Sequence, residues 1–350
     1  MDFSEKPFGT TKFGEKASIW TLRGKGGLVL EVTNYGGRIN RLLVPGKDGK
    51  STDVTVGFDS PAGWENSDAF FGAIIGRFGN RIANGKFSLD GKDYTLFCND
   101  AKHCASLHGG RRGWDKYVWD AAPFSRGDDV GIVFSKSFPD GEEGYPGAID
   151  AKVTYTVTAG NAWRIEYEAT TTKPTPINMT QHAYFNMNGA GTILDQELMI
   201  DADAFLAVDA NLKPVGDPRP VAGTPFDFRA FHKVGERIDD PDPVLQFGPG
   251  YDHNWCLNGS GFRKIAEMRG EKVAMEVWSD QVGVQFYAGN FIKDGWTMKN
   301  GLPLARRSYL ALETQHYPNT PNRPDFPTTT LRPGETYRTV TEYRFSSLKG

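Results

Sequence analysis

The stretch Thr336-Tyr-Arg-Thr-Val-Thr-Glu-Tyr-Arg-Phe345 alternates in the character of its side chains, and aromatic residues recur at every second position near its end. Successive side chains of a β-strand point to opposite faces of a sheet, so this alternation predicts a strand with one buried face. Five more segments alternate in the same way: residues 28–33, 152–157, 164–169, 272–278 and 282–287. They come from both halves of the chain, which predicts a fold built from strands throughout.

Turn signals separate these strands. The 350 residues include 41 glycines and 21 prolines, which favour turns between short strands. Leu89-Asp-Gly-Lys-Asp-Tyr94 predicts a tight hairpin. Helical periodicity is scarce, and we expect short helices only within residues 59–71 and 229–238. The sequence therefore predicts an all-β protein, a large antiparallel β-sandwich with few short helices, in which residues 1–350 form one domain.

The charge and hydropathy of the chain indicate which classes of binding partner to expect. The 40 lysines and arginines nearly balance the 43 aspartates and glutamates, and the net charge of −3 includes no long run of one sign. We therefore expect no nucleic-acid partner. No run of about 18 apolar residues is present, so we expect no membrane partner. A neutral small molecule is the more natural partner. A monomer is the default expectation, and a dimer stays open.

The number and spacing of the cysteines indicate the kind of cellular compartment in which the protein works. Cys98, Cys104 and Cys256 are odd in number and form no Cys-x-x-Cys pair, which favours neither a disulfide framework nor a zinc ribbon. Residues 1–16 are polar and unlike a secretion signal. We expect a cytoplasmic protein in a reducing environment. A periplasmic or secreted location stays open if a signal peptide was removed, as does pairing of Cys98 with Cys104.

One segment carries a candidate catalytic carboxylate. Ser308-Tyr-Leu-Ala-Leu-Glu-Thr-Gln-His-Tyr-Pro-Asn-Thr-Pro-Asn322 begins as an apolar, strand-like run and ends as a loop rich in proline and asparagine. Glu313 lies where the run approaches the loop, a setting in which catalytic residues concentrate. Its carboxylate can serve as a general base.

Two histidines are candidate partners for Glu313. His182 lies in Asn178-Met-Thr-Gln-His-Ala-Tyr-Phe-Asn186, where hydrogen-bonding residues can hold an imidazole in one tautomer, as a general acid requires. His108 lies in Leu107-His-Gly-Gly110, where glycines allow a ligand to approach closely. Both can equally be packed core histidines. His103 forms a His-x₄-His pair with His108, but no further ligand stands at motif spacing, so we predict no metal and take His103 as structural or exposed.

Four other residues are candidates for binding hydroxyl groups. Asn80 and Arg81 lie in Arg77-Phe-Gly-Asn-Arg-Ile-Ala-Asn-Gly85, and an amide with a guanidinium can donate several hydrogen bonds to a sugar. Asp252 follows Gly248-Pro-Gly-Tyr251 and suits vicinal hydroxyls, and Gln285 lies on the polar face of its strand. The alternatives are a solvated Arg/Asn loop and a turn-capping aspartate.

Aromatic residues near these motifs can stack on the apolar face of a pyranose. The candidates are Trp64, Trp114, Tyr184, Trp255 and Phe286. Aromatics make up 13% of the chain, so most of them belong to the core. Among these five, Phe286 is the one we single out.

The motifs together resemble those of the aldose 1-epimerase (galactose mutarotase) family, in that family's order from about residue 8 to residue 345. The matching segments are Gly76-Arg-Phe-Gly-Asn-Arg-Ile-Ala-Asn-Gly85, Leu107-His-Gly-Gly110, Asp140-Gly-Glu-Glu-Gly-Tyr-Pro-Gly147, Gln181-His-Ala-Tyr-Phe-Asn186, Tyr251-Asp-His-Asn254, Gln285-Phe-Tyr-Ala-Gly-Asn290 and Leu312-Glu-Thr-Gln315. Any one of them is weak, but seven in sequence are specific. Gln181, where relatives often have asparagine, and Phe78-Gly79 depart from the pattern without removing a reacting group.

The resemblance implies a single large β-sandwich and an enzyme that interconverts the anomers of free hexoses, such as D-glucose and D-galactose, without a cofactor or metal. It gives Glu313 the role of general base and His182 that of general acid. It assigns substrate binding to five residues: Asn80, Arg81, His108, Asp252 and Gln285. Because an acid must carry a proton near neutrality, we also expect the site to raise the pKa of His182, with Glu313 as the cause.

Three rival functions remain. A non-catalytic sugar-binding protein would use the same amides and aromatics but needs no acid and base. A glycoside hydrolase would need two carboxylates, for which Glu313 and Asp252 are the candidates. A hexose-phosphate epimerase of the same superfamily would need cations for the phosphate, and Arg111 and Arg112 are a candidate anion site.

Overall fold

A computed structural model describes residues 2–348, which are almost entirely β-structure. Two short α-helices occur in this part of the chain, α1 (Pro61–Glu65) and α2 (Pro243–Phe247). Single turns of 3₁₀ helix span Ala101–His103, Trp114–Lys116, Glu142–Gly144, Lys299–Gly301 and Thr320–Asn322. No helix of the described residues is long and apolar enough to cross a membrane.

The strands of the first half are β1 (Phe3–Thr10), β2 (Lys16–Arg23), β3 (Val29–Thr33), β4 (Ile39–Pro45), β5 (Ser51–Asp53), β6 (Ile74–Ile75), β7 (Arg81–Ala83), β8 (Lys86–Leu89), β9 (Lys92–Thr95), β10 (Ala105–Leu107), β11 (Asp120–Arg126), β12 (Asp129–Phe138), β13 (Ile149–Val157) and β14 (Ala162–Thr171). Those of the second half are β15 (Thr175–Pro176), β16 (Thr180–Gln181), β17 (Tyr184–Phe185), β18 (Glu197–Ile200), β19 (Ala204–Leu206), β20 (Arg219–Pro220), β21 (His232–Lys233), β22 (Asp252–Cys256), β23 (Arg263–Arg269), β24 (Val273–Ser279), β25 (Gly283–Tyr287), β26 (Leu310–Gln315), β27 (Thr330–Leu331) and β28 (Tyr337–Ser347).

Three sheets account for most strands, and their strands pair antiparallel. The largest has nine strands in the order β11-β12-β13-β14-β28-β24-β23-β18-β21, the second has six in the order β17-β26-β25-β22-β19-β20, and the third has five in the order β1-β2-β3-β4-β5. Strand β28, near the end of the chain, pairs with β14 and β24 in the centre of the nine-stranded sheet. The predicted all-β, antiparallel fold with few short helices is confirmed, and all six alternating segments are strands.

One apolar core joins the three sheets. It includes Leu30 from the five-stranded sheet, Tyr155 and Met275 from the nine-stranded sheet, and Phe286 and Leu312 from the six-stranded sheet. Alternation explains how each strand reaches it, because β13 and β14 bury every second residue. The core therefore holds strands from both ends of the chain against each other.

Of the predicted hairpin and two short helices, the hairpin and one helix are confirmed and the other helix is wrong. The hairpin between β8 and β9 is confirmed, with positive φ at Asp90 (51°) and Gly91 (76°), as a tight two-residue turn requires. Helix α1 lies within residues 59–71, as predicted. The helix predicted within residues 229–238 is wrong, because β21 pairs there with β18 and Arg237 donates to the carbonyl of Asp227. These contacts hold the segment as a loop.

The six-stranded sheet positions the candidate site. Along β26, Leu310 and Leu312 face the large core, and Glu313 therefore faces the opposite side. On the neighbouring strand β25, Gln285 pairs in register with Glu313. Strand β22 lies on the far side of β25 and places Asp252 opposite Tyr287. Three adjacent strands thus direct polar side chains to one face of the sheet.

Candidate active site

One cavity of about 300 Å³ collects most of the predicted site residues. Six of the seven line it: Asn80, Arg81, His108, His182, Asp252 and Glu313. The rest of the wall consists of Asp68, Ala69, Phe70, Asp100, Lys102, His103, Leu107, Tyr184, Tyr287, Phe291 and Lys293. The seventh predicted residue, Gln285, lies behind the wall. Residues more than 200 positions apart in sequence therefore meet around a space of monosaccharide size.

Glu313 is a buried carboxyl group that faces the cavity with 2% of its surface exposed. Its Oε2 has no hydrogen-bond partner among the described residues. Burial raises the pKa of the Glu313 carboxyl well above its ordinary value of 4.5, the charge of Asp252 raises it further, and the charge of Arg81 opposes the shift. The free site therefore favours the protonated carboxyl, and a ligand with hydroxyl groups can satisfy the free oxygen.

His182 stands next to Glu313, with 3.5 Å between its Nε2 and Oε1 of the carboxyl group. Its backbone N–H donates to the carbonyl of Ala73 at 2.9 Å, which ties residue 182 to the segment before β6. Its ring lies nearly parallel to that of Tyr184, at 15° and with 5.0 Å between centroids. The imidazole and the carboxyl group are therefore held within reach of one small ligand.

The expectation that the site raises the pKa of His182 is wrong for the free protein. Burial lowers the pKa of His182 from 6.5 to about 3. The imidazole is only 5% exposed, so the cost of placing a positive charge there exceeds the attraction of Asp115, and the charge of Arg38 lowers the pKa further. Burial therefore favours the uncharged form of both members of the pair in the free site.

His108 is held in one tautomer by the backbone. It has positive φ (50°), and its Nδ1 accepts the backbone N–H of Asn80 at 3.1 Å. That hydrogen bond requires a lone pair on Nδ1, so the ring proton of the neutral imidazole is on Nε2. Burial lowers the pKa of His108 well below 6.5, and His182, Arg81 and Lys116 lower it further. His108 is therefore a neutral donor.

The same tautomer bears on metal binding. Ligand atoms of His108, His182 and Glu313 all lie within 4.8 Å of one another, a spacing that a metal ion can bridge. A histidine binds a metal through a lone pair, and the only lone pair of this His108 tautomer already accepts a hydrogen bond. Two ligands then remain beside the cationic Arg81, and such a set does not fit a resident metal.

Arg81 is anchored through a network that the sequence did not indicate. Its Nε donates to Asp100 Oδ2 at 2.8 Å, and its backbone N–H donates to Oδ1 of Asn80 at 2.8 Å. Asp100 also pairs with Nδ1 of His103 at 2.8 Å. The sequence predicted that His103 is either structural or exposed. It is not exposed, because only 7% of its surface is accessible, and it lines the cavity. The terminal nitrogens of Arg81 remain available to a ligand.

Gln285 has an indirect relation to the cavity. It is 3% exposed, and its Nε2 donates to Oδ1 of Asp252 at 2.8 Å across the β22–β25 pair. His253 fixes the other side of Asp252, because its Nδ1 accepts the Asp252 N–H and its Nε2 bonds to the carbonyl of Val244. Gln285 therefore orients Asp252.

The interpretation of Phe286 as a stacking residue is wrong. Phe286 is fully buried and packs on Tyr251 at 5.1 Å, because it alternates with Gln285 along β25 and faces the core. Trp64, Trp114 and Trp255 are also buried outside this cavity. The aromatic residues of the wall are Phe70, Tyr184, Tyr287 and Phe291. Of these four, only Tyr184 was among the candidates. The other three lie in loops or at a strand end, where the sequence pattern does not indicate which way a side chain points.

Arg111 and Arg112 do not face this cavity. The Arg111 guanidinium lies 3.9 Å from the centre of the Phe97 ring, and that of Arg112 pairs with Glu15 at 3.0 Å. Their backbone N–H groups donate to the carboxylate of Glu143. They do not form the predicted anion site here.

Comparisons with known proteins agree with this geometry. A model of the aldose 1-epimerase family matches residues 18–344. The galactose mutarotase of Pongo abelii is 42% identical over 91% of both chains, and the aldose 1-epimerase of Escherichia coli is 36% identical over 95% of this chain and 96% of its own. The crystal structure of galactose 1-epimerase from Lactobacillus acidophilus covers 99% of both chains at 25% identity, with a TM-score of 0.88. This chain therefore belongs to the aldose 1-epimerase family.

Proposed function

We propose that this protein is an aldose 1-epimerase, an isomerase that interconverts the α and β anomers of free aldoses such as D-glucose and D-galactose. One observation carries the proposal: an imidazole and a carboxyl group lie 3.5 Å apart on the wall of a cavity of about 300 Å³. O1 and O5 of a pyranose are bonded to the same carbon, so one acid and one base at this spacing can serve both oxygens.

The reaction begins when Glu313, as a carboxylate, takes the proton of the C1 hydroxyl. The O–H electrons form the C1=O double bond, the C1–O5 bond breaks, and its electrons take a proton from His182. Rotation about C1–C2 turns the other face of the aldehyde toward O5. Closure then runs in reverse, so that His182 receives the O5 proton while Glu313 returns one to O1.

The opposite pKa shifts of the pair, which burial causes, are consistent with the proton balance of ring opening. After ring opening, Glu313 carries the proton taken from O1 and His182 has given up its own, so both groups are uncharged. That is the state that burial favours, because the pKa of Glu313 is raised and that of His182 is lowered. Before the ring opens, the proton on Glu313 must therefore pass to His182 when the cyclic sugar binds. The positive charge of Arg81 favours the Glu313 carboxylate that results.

Four wall residues supply the groups that hold a sugar. The guanidinium of Arg81 and Nε2–H of His108 donate hydrogen bonds to hydroxyl oxygens, while the amide of Asn80 adds a further donor. Asp252 accepts from hydroxyl groups, and Gln285 keeps its carboxylate oriented. The alternation of donors and acceptors suits a neutral polyol.

Polarimetry on freshly dissolved α-D-glucose and α-D-galactose tests the proposal. Wild type should accelerate equilibration, and Glu313→Gln should lose about 10²–10⁴-fold in rate because it lacks the base. Glu271→Gln is the matched control, since Glu271 is exposed and lies outside the cavity. Sugar binding by Glu313→Gln, measured by calorimetry, should persist. No acceleration by wild type with either sugar would contradict the proposal.

Isotope retention separates ring opening from hydrolase-like chemistry. Ring opening keeps O1 bonded to C1, whereas attack of water on an oxocarbenium ion replaces O1 in each turnover. Glucose labelled with ¹⁸O at C1 should therefore keep its label through many enzymatic turnovers. Loss of label at the rate of mutarotation would favour the hydrolase alternative.

A phosphosugar epimerase is the second candidate. Two cations at the cavity wall favour it: Lys293, whose Nζ lies 3.5 Å from Asp68, and Lys102, which lies over the Phe291 ring. Each ammonium group already has a partner, Asp68 for Lys293 and the Phe291 ring for Lys102. A phosphate group would have to compete with these contacts, which favours a free sugar as the substrate. A lower KM for glucose 6-phosphate than for glucose would support the second candidate.

We further propose that residues 1–350 form one domain that acts as a monomer in the cytoplasm. The shared core supports one domain, and the three cysteines, all free in the described chain, suit a reducing compartment. Light scattering at working concentration tests the monomer.

A further inference from the structure

Phe70 contacts both histidines of the site from a loop between α1 and β6. Its ring centroid lies 4.6 Å from that of His108, and it lies 6.1 Å from that of His182 with only 20° between the planes. Phe70 also lines the cavity. The ring therefore occupies the space beside the imidazole acid that water would otherwise fill.

The loop that carries Phe70 is tied to the segment that carries His182. The Gly72 N–H donates to the carbonyl of His182 at 2.9 Å, and the hydroxyl of Tyr184 donates to the carbonyl of Ala69 at 2.9 Å. Phe70 itself has a φ of 55°, a conformation that bulky residues rarely adopt. A conformation of this kind persists where surrounding contacts enforce it.

A buried ion pair backs the loop. Arg38 donates to the carbonyl of Phe71 at 2.8 Å, and its other terminal nitrogen lies 3.0 Å from Oδ2 of Asp115. Lys116 pairs with the second oxygen of Asp115 at 3.0 Å, and its Nζ lies 5.1 Å from the centre of the Phe70 ring. These contacts therefore add to those that hold the loop in place.

We propose that Phe70 is a positioning residue for His182, whose ring fixes the plane of the imidazole and excludes water from it. The inference rests on the proposed function, since it assigns a role within that reaction. The charged or titratable groups around the imidazole are Glu313, His108, Tyr184, Arg38 and Asp115. None of them is changed by a substitution of Phe70.

Kinetics of two variants give the first test. Phe70→Ala removes the ring, and Phe70→Leu keeps apolar volume without a flat surface. Misplacement of a catalytic group by about 1 Å costs roughly 10²-fold in rate, so kcat should fall by about that factor in Phe70→Ala with a smaller change in KM. Phe97→Ala is the control, because Phe97 is an exposed aromatic residue that does not line this cavity. Its kcat should equal that of wild type.

A spectroscopic measurement gives the second test and does not depend on turnover. ¹³C-labelled histidine would show the protonation of His182 directly, with assignment by His182→Asn. In wild type the signal should not titrate near 6.5, since burial lowers the pKa to about 3. In Phe70→Ala water reaches the ring, and the titration should move toward 6.5.

The outcomes are distinct. Lower kcat in both Phe70 variants, together with a raised His182 titration in Phe70→Ala, supports the proposal. Unchanged kcat in Phe70→Ala, full kcat in Phe70→Leu, or an unchanged His182 titration overturns it. If the wild-type protein does not accelerate the mutarotation of any aldose, the proposed function fails. The titration of His182 then decides by itself whether Phe70 shields the imidazole.

Discussion

The buried carboxyl group that the reaction requires should make the protein less stable as pH rises. In the folded state the pKa of Glu313 is raised well above 4.5, so the group stays protonated while the unfolded chain ionises. Its contribution to stability is therefore fully present below pH 4.5 and is lost as pH rises toward the folded-state pKa. Glu313→Gln keeps the shape of the side chain and removes this titration, so it should be more stable than wild type at neutral pH.

The size of the effect follows from linkage. Each pH unit between the unfolded and folded pKa values is worth about 1.4 kcal/mol. The difference in unfolding free energy between Glu313→Gln and wild type should therefore widen by up to about 3 kcal/mol from pH 5 to pH 7. His182 also titrates differently in the folded and unfolded states, since burial lowers its pKa from 6.5 to about 3, but this contribution is the same in both proteins and cancels in the difference.

Urea unfolding at several pH values, followed by tryptophan fluorescence, measures the difference. Equal m-values for the two proteins would show that the same surface is exposed on unfolding. Glu271→Gln, the same substitution at an exposed position, is the matched control. A difference between Glu313→Gln and wild type that stays constant or shrinks as pH rises would refute the reasoning.

Three further predictions concern other residues in and around the site. The pH profile of kcat/KM should show no acid limb near pH 6.5, because burial lowers the pKa of His182 to about 3; a fall in rate on acidification through pH 6.5, in initial rates corrected for spontaneous mutarotation, would contradict this. Asp115→Leu leaves the buried Arg38 without its partner and should destabilise the fold by about 3–5 kcal/mol in urea unfolding, whereas a loss below about 1 kcal/mol would contradict the pairing. Gln285→Met frees the Asp252 carboxylate and should raise KM by about tenfold with less effect on kcat, as steady-state kinetics would show.

The fold was largely predictable because strand alternation and burial share the same period. In β14, every second residue of 162–171 is buried, as the sequence pattern indicated. The predicted helix in residues 229–238 failed for a related reason. Val234 and Ile238 are both buried, at a spacing that also suits a helix, but a loop and the pairing of β21 with β18 bury them instead. Spacing alone does not distinguish these two ways of reaching a core.

The candidate site was predictable in its residues and not in its arrangement. Motifs pointed to Glu313 and His182, but their separation of 3.5 Å depends on pairing between distant strands. The pKa of His182 went in the opposite direction to the prediction, because sequence does not show how completely the imidazole loses water. Phe70 gave no signal, since its role depends on a positive φ and on tethers from Arg38 and Tyr184.

The most direct test of the account is anomer exchange at equilibrium, measured by two-dimensional ¹H exchange spectroscopy on the C1 protons of D-galactose. No net change of concentration occurs, so cross-peaks report ring opening and closure alone. The account predicts strong α–β cross-peaks with catalytic wild type, the same peaks with Glu271→Gln, and only the spontaneous level with Glu313→Gln. Cross-peaks of wild-type intensity with Glu313→Gln would contradict the assignment of Glu313 as the base.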